Sequence, residues 1–316
     1  HRDGYQWGIF SQIESVSVES NRITFASSCS GSEIQITHCL KLDSDNDVLS
    51  ATTRITNTGT SRLWLERCDT PCIPIPAHYT KILGFNGRWG NEFQLQSLNR
   101  FKGAYLRENR SGRTSHSSFP GVIVHTEHAN ESLGDAYGLH LGWSGNHHVR
   151  VEELSSGRSY AQLGELFLPG EMQLEPGESY TSPILYGVSS QSGLSTMSAS
   201  FHRFIRAHLT RKKISTKKRP IHFNTWEAVY FDLSFERLCS LADKASEVGI
   251  ERFVLDDGWF QNRKSDQSGL GDWYVDKSIF PSGLTPLIDH VHANKMEFGL
   301  WVEPEMVNLD SDLYRT

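Results

Sequence analysis

Phe253-Val254-Leu255-Asp256-Asp257-Gly258-Trp259 is the stretch that decides the architecture. A short, continuous apolar run broken at once by acidic residues and glycine reads as a strand of a parallel sheet covered on both faces. Its surroundings repeat the arrangement. Ile221-His222-Phe223 is a short strand, and Ser234 is placed to cap a helix carrying Phe235, Leu238, Cys239, Ala242, Ala245 and Val248. Gly249 then ends that helix as its left-handed residue. After a polar loop through residue 272, Thr285 and Pro286 supply a cap and a first-turn proline for a helix using Leu287, Ile288 and Val291. Phe298-Gly299-Leu300-Trp301-Val302 is a third strand. Strand–helix alternation of this kind builds a doubly wound sheet or a (β/α)8 barrel. A barrel takes roughly 200 residues or more, and only about a hundred follow Pro220. Three strands cannot close, so if this is a barrel the chain holds well under half of it. The open strand edge and apolar helix faces would invite association.

Upstream the period changes. From residue 9 to about 192 the text is strand-like: Ile13–Val18 is mostly period-2 and Glu33-Ile34-Gln35-Ile36-Thr37 alternates cleanly. Thr53-Arg54-Ile55-Thr56, the turn Asn57-Thr58-Gly59 and Arg62-Leu63-Trp64-Leu65-Glu66 read as a hairpin. Tyr137–Trp143 runs to a turn at Ser144-Gly145-Asn146, after which His148–Glu152 resumes the alternation. Many short strands punctuated by Gly, Pro and Asn indicate an antiparallel sandwich over residues 1–192. Met197, Phe201, Phe204, Ile205 and Leu209 then fall on one helical stripe, followed by Arg211, Lys212, Lys213, Lys217, Lys218 and Arg219. Cations suit a helix C-terminus, so 193–219 reads as a linker helix with a basic, solvated end, and 220–316 as the β/α units.

Length and charge bound the rest. The 316 residues imply about two domains. A net charge of −6 argues against a nucleic-acid binder, which carries a basic face. No run approaches the roughly 18 apolar residues that span a bilayer. No signal-like start is visible, and the compartment expected is cytoplasmic, with secretion left open. His1 without a start methionine and Asp3-Gly4-Tyr5-Gln6-Trp7 as mid-domain text point to a fragment. Five cysteines, an odd count, suit reduced thiols in an intracellular protein. Cys68 and Cys72 lack a second Cys/His pair nearby to complete a zinc set, so neither metal nor other cofactor is expected.

Chemistry concentrates where the parallel strands end. Strand one runs into Asn224-Thr225-Trp226-Glu227, strand two into Asp256-Asp257-Gly258-Trp259 and strand three into Trp301-Val302-Glu303-Pro304-Glu305. The C-terminal strand ends of a barrel build its active site. Here each brings tryptophan and carboxylate together: a sugar's C–H face packs on indole and its hydroxyls donate to carboxylates. Plainer roles stand beside this one. Asp256 and Asp257 are adjacent, so on extended backbone they point oppositely, and either is able simply to cap the following turn. Trp226 and Trp301 also suit a core, and Glu303 and Glu305 suit loop struts. In the sandwich, Gly87-Arg88-Trp89-Gly90-Asn91-Glu92 and Gly112-Arg113-Thr114-Ser115-His116 are either ligand-facing loops or ordinary turns. Ser115 and His116 do not make a hydrolase triad, because no Gly-x-Ser-x-Gly elbow sits between a strand and a helix.

Asn224–Asp232, Leu255–Phe260 and Gly299–Asn308, together with Leu270-Gly271-Asp272-Trp273, Asp310–Arg315, Gly112–His116 and Trp143–Asn146, resemble the family 36 glycoside hydrolases, the α-galactosidases of microbial type. The resemblance implies an N-terminal β-supersandwich, a (β/α)8 catalytic barrel and a small C-terminal β-domain. It implies retaining hydrolysis of terminal α-galactosides such as melibiose and raffinose-type sugars, commonly by tetramers whose sandwich domains help complete neighbouring sites. Carried over residue by residue, the galactose-binding aspartates fall on Asp256 and Asp257, the binding-site tryptophans on Trp226 and Trp301, and a sandwich-loop tryptophan on Trp89. The loop after Phe260 departs from the pattern, with Gln261 where glycine is common. The nucleophile, in a Lys-x-Asp motif on a later strand, and the acid/base aspartate have no counterpart here. By the resemblance both are expected beyond Thr316. The leading expectation is therefore a segment that binds galactose without the catalytic dyad. A relative acting on α-N-acetylgalactosamine, one transferring galactose, or a non-catalytic sugar-binding or assembly module are the alternatives.

Overall fold

A computed structural model describes all residues except 3, 5–7, 30, 115–116 and 212–215, and it divides into two compact units, residues 1–215 and 216–316. The first unit opens on a meander, β1 (Gln12–Glu19), β2 (Arg22–Cys29), β3 (Ile34–Asp43) and β4 (Val48–Asn57). Short β5 (Leu63–Leu65) and β6 (Ile73–Ile75) lead to a hairpin of β7 (Tyr79–Arg88) and β8 (Asn91–Asn99). There follow β9 (Gly103–Asn109), β10 (Gly121–Thr126), β11 (Ala136–Leu141), β12 (His147–Glu153) and β13 (Ser159–Glu165). The strands β14 (Met172–Leu174), β15 (Ser179–Thr181) and β16 (Leu185–Ser190) precede α1 (Gly193–Phe204), which continues as one wider π-helical turn, Ile205–Leu209.

These strands make an antiparallel ten-stranded sheet in the order β1-β2-β3-β4-β16-β11-β10-β7-β8, with β15 also on β4, and a four-stranded sheet β6-β13-β12-β9. Alternation along each strand sorts the apolar side chains between two faces. Ile82, Val122, Val124, Leu139 and Leu185 of the large sheet meet Val149, Val151, Ala161 and Leu163 of the small one, and that layer is the sandwich core. On the opposite face Leu83, Ile123, Ala136 and Val188 are covered by Met197 and Phe204 of α1. Ile205 and Leu209, the far end of the helical stripe, stay exposed.

The hairpin read at Asn57-Thr58-Gly59 does not form. Leu63–Leu65 pairs with β14, because β4 already has β3 on one side and β16 and β15 on the other. Asn57 redirects the chain: its side chain accepts from Gly59 N–H at 3.0 Å and donates to Leu174 O at 2.9 Å, in the neighbouring two-stranded sheet.

In the second unit, β17 (His222–Asn224), α2 (Trp226–Val229), α3 (Phe235–Glu247), β18 (Arg252–Leu255), α4 (Thr285–Ala293), β19 (Glu297–Leu300) and α5 (Asp312–Arg315) follow in order. β17-β18-β19 is a parallel sheet, three strands of alternating β/α text. Ser234 caps α3, its Oγ accepting from Arg237 N–H at 3.2 Å, and Gly249 at φ +87° ends it. Leu238, Ala242 and Ala245 of α3 and Leu287 and Val291 of α4 bury Phe253 and Leu255. Three expectations need correction. Only one face of the sheet is buried this way; Arg252 and Val254, on the other face, are partly exposed. Val248 lies past the end of α3 and is exposed. Helix α4 starts one residue early: the Leu284 carbonyl takes the first helical hydrogen bonds, so Thr285 is already inside the helix and caps nothing. No helix among the described residues is long and apolar enough to cross a membrane.

Candidate functional site

Register brings the strand ends together. Phe223, Phe253 and Phe298 share a rung, and Asn224, Val254 and Gly299 share the next. The ladders end at Asn224–Val254 and Leu255–Leu300; Asp256 and Trp301 directly follow the paired residues, and Trp226 follows Asn224 by two, already in the first turn of α2. Backbone bonds tie these exits: Thr225 N–H donates to Val254 O at 3.1 Å, and Trp301 N–H to Leu255 O at 2.9 Å. Gly299 has to be small, since a Cβ there would stand 3.0 Å from a Val254 methyl.

Both aspartates are buried, and each has its own partners. Asn224 links two of the predicted residues, accepting from Trp226 N–H at 2.7 Å and donating to an Asp256 carboxylate oxygen. The other Asp256 oxygen accepts from Asp257 N–H at 2.7 Å, and Asp256 N–H donates to the buried Thr225 hydroxyl at 3.0 Å. Asp257 instead meets Arg263 as a two-pronged ion pair, Nε to Oδ1 at 2.8 Å and Nη2 to Oδ2 at 2.7 Å. The two carboxylates thus go to different partners, one to Asn224 and a backbone N–H, the other to a guanidinium.

The indoles differ. Trp226 is half-buried, with Tyr230 and Phe231 edge-on to it at 5.1 and 5.0 Å between centroids. Tyr230 OH donates to Glu227 at 2.6 Å, and that bond raises its phenol above the ordinary range. Trp301 is half-buried against the α3/α4 core. Trp259, read from sequence as a third rim aromatic, is a strut: it is 4% exposed and its indole N–H donates to Trp301 O at 2.8 Å. Trp89 lies in the first unit, 84% exposed at the two-residue tip of the β7–β8 hairpin. The loops after β18 and β19 are laced together by Asn308, which accepts from Leu270 N–H at 2.7 Å and donates to Gln267 O at 3.0 Å. Thr316 follows Arg315, the last residue of α5. It closes α5, its N–H donating to Asp312 O at 3.1 Å and its hydroxyl to Leu313 O at 3.3 Å. In the sandwich, Gly112 N–H reaches the Asn146 side chain at 2.8 Å, so two motifs singled out by sequence touch; Ser115 and His116 lie outside the described residues.

With this arrangement stand the comparisons. Residues 9–175 match the glycosyl hydrolase family 36 N-terminal domain and residues 179–316 match melibiase. The chain belongs to glycosyl hydrolase family 36. Among its curated relatives is the α-galactosidase of Escherichia coli, 45% identical over 243 residues, covering 77% of this chain and 34% of that one. The α-galactosidase Mel36A of Lactobacillus acidophilus is 35% identical over 271 residues, 86% of this chain and 37% of that one. The chain thus spans little more than a third of these relatives' length. The family 36 α-galactosidase AgaA of Geobacillus stearothermophilus superposes with a TM-score of 0.93 at 30% identity, over 99% of this chain and 46% of that one. A variant of AgaA solved with stachyose superposes at 0.91 and 29%. Against this family 36 frame, Asn224, Thr225 and Arg263 are the rim residues that sequence reasoning passed over. The sequence signal for Arg263 was a cation six residues after Asp257, in the same loop as the aspartate pair.

Proposed function

We propose that the rim of the second unit is the galactosyl-binding wall of a retaining α-galactosidase acting on terminal α-galactosides of the melibiose and raffinose type. Asp256 and Asp257 would accept hydroxyl protons and Trp226 and Trp301 would pack on the ring; Trp89, in the first unit, is a further sugar-binding tryptophan by the family resemblance. The observation that carries the reading is Asn224, which bonds both the Trp226 N–H and the buried Asp256 carboxylate at the exits of consecutive parallel strands, while the Trp301 N–H is tied to Leu255 O at the third exit. Enzymes of this fold keep their chemistry at that rim. Raffinose and stachyose are bound in structures of AgaA variants, which supports the same substrate class.

The division proposed is a partial β-supersandwich at 1–192, a linker at 193–219 and the first three units of a (β/α)8 barrel at 220–316. The nucleophile and acid/base would come from outside these residues, beyond Thr316. A cytoplasmic homo-oligomer, tetrameric by resemblance, belongs to the same proposal. The test is titration of methyl α-galactoside into the protein as its gene encodes it. Asp256→Asn and Trp301→Ala should each weaken binding about tenfold or more, roughly 1.4 kcal/mol, without altering the folded spectrum. Unchanged affinity in both variants would refute the site.

A further inference from the structure

A carboxylate has about four acceptor positions. In Asp257, Oδ1 takes Arg263 Nε and the Gly258 N–H at 2.7 Å, and Oδ2 takes Arg263 Nη2. Among the described residues that leaves one position, on Oδ2. Asp256 accepts one bond on each oxygen and keeps a second position on both.

Arg263 is itself immobilised. Its Nη1 donates to Ser268 O at 2.8 Å, and its guanidinium carbon lies 5.7 and 5.8 Å from the Phe231 and Phe260 ring centres. The side chains of the pair are 5% and 7% exposed. A buried ion pair is a weak source of net stability, since desolvation offsets its attraction. What a two-pronged fork supplies is orientation. Both partners of the fork lie in the loop after β18, and the Phe231 contact ties Arg263 to the loop after β17 as well.

We propose that Arg263 is a positioning residue: it aims Asp257 so that one remaining acceptor position meets one sugar hydroxyl, and so makes the site selective for that hydroxyl. This rests on the galactosyl-binding reading above. The test measures, in the protein as its gene encodes it, the affinity for methyl α-galactoside and for each of its monodeoxy analogues. Asp257→Asn identifies the hydroxyl involved, as the one whose removal no longer matters. At that hydroxyl the wild type should show a penalty of about tenfold, and Arg263→Gln should shrink it to roughly threefold or less while leaving the other penalties in place. Arg263→Lys, which keeps the charge without the fork, should shrink the same penalty, and it carries the comparison if the Gln variant does not fold. A merely structural arginine would weaken all analogues evenly; that result, or an unchanged penalty in folded Arg263→Lys, overturns the proposal. A wild type that binds no galactoside overturns the galactosyl reading as well, whereas a wild type that binds galactoside but discriminates no more strongly than its Arg263 variants overturns this inference alone.

Discussion

Thr225 holds the rim at a single atom. It is 1% exposed, and its hydroxyl takes the Asp256 N–H at 3.0 Å while its own N–H bonds to Val254. Thr225→Val keeps the shape and removes the acceptor, which strands a buried N–H in a dry position. Such a group costs about 1–3 kcal/mol. The variant should unfold at lower urea with an unchanged slope; an unmoved midpoint would mean that the Asp256 N–H finds another partner. The same residue marks what sequence conveys at this scale. The places of Asp256, Asp257, Trp226 and Trp301 just past strands were legible because each lies within a few residues of the end of a short apolar run; their part in sugar binding is a proposal. Arg263 and Asn224 were not legible, because their meaning lies in side-chain partners that neither residue's immediate neighbours announce. Trp259 misled for the same reason: nothing in its neighbours along the chain announces that its N–H bonds to Trp301 O.

Periodicity identified the elements where one face decides burial, as with the α3 stripe and its Ser234 cap, and missed where pairing depends on vacancy. Arg62–Glu66 alternates well enough for a hairpin, yet the flanks of β4 were already occupied, one by β3 and the other by β15 and β16 from more than a hundred positions later in the chain. Cross-strand chemistry at the other end of the parallel sheet was equally invisible. Glu297 pairs in register with Arg252, bonds its Nε at 3.1 Å, and takes Lys217 Nζ at 2.8 Å. Lys217 first, then Arg252, draws the Glu297 carboxyl down to about 2. A carboxyl with a depressed folded pKa stabilises above its unfolded value, about 4.3, and loses that contribution as pH falls toward the folded one. Wild type should therefore melt above Glu297→Gln at pH 7, with the gap closing between about pH 4 and 2. Because the pair is exposed, the gap should be small and shrink in salt. A gap that persists at pH 2 in thermal melts would show that packing, and not charge, sustains it.

At the scale of the molecule, the decisive quantity is how many reacting carboxylates these 316 residues hold. Retaining hydrolysis needs two carboxyl groups about 5–5.5 Å apart, one attacking the anomeric carbon and one protonating the leaving oxygen. Asp256 and Asp257 are near neighbours in sequence but turn to different partners. Asp257 is locked to a buried guanidinium, and Asp256 is held by an amide and a backbone N–H. A nucleophile in an ion pair with one acceptor position left is poorly placed to form a glycosyl bond, and a carboxylate bound to two donors is poorly placed to give up a proton. The proposed role of the pair is therefore binding. The purified 316-residue polypeptide should release no nitrophenol from nitrophenyl α-galactoside, whereas the protein as its gene encodes it should. Release by the shorter chain, abolished in Asp256→Asn and in Asp257→Asn, would make the aspartate pair the reacting groups and reverse their assignment.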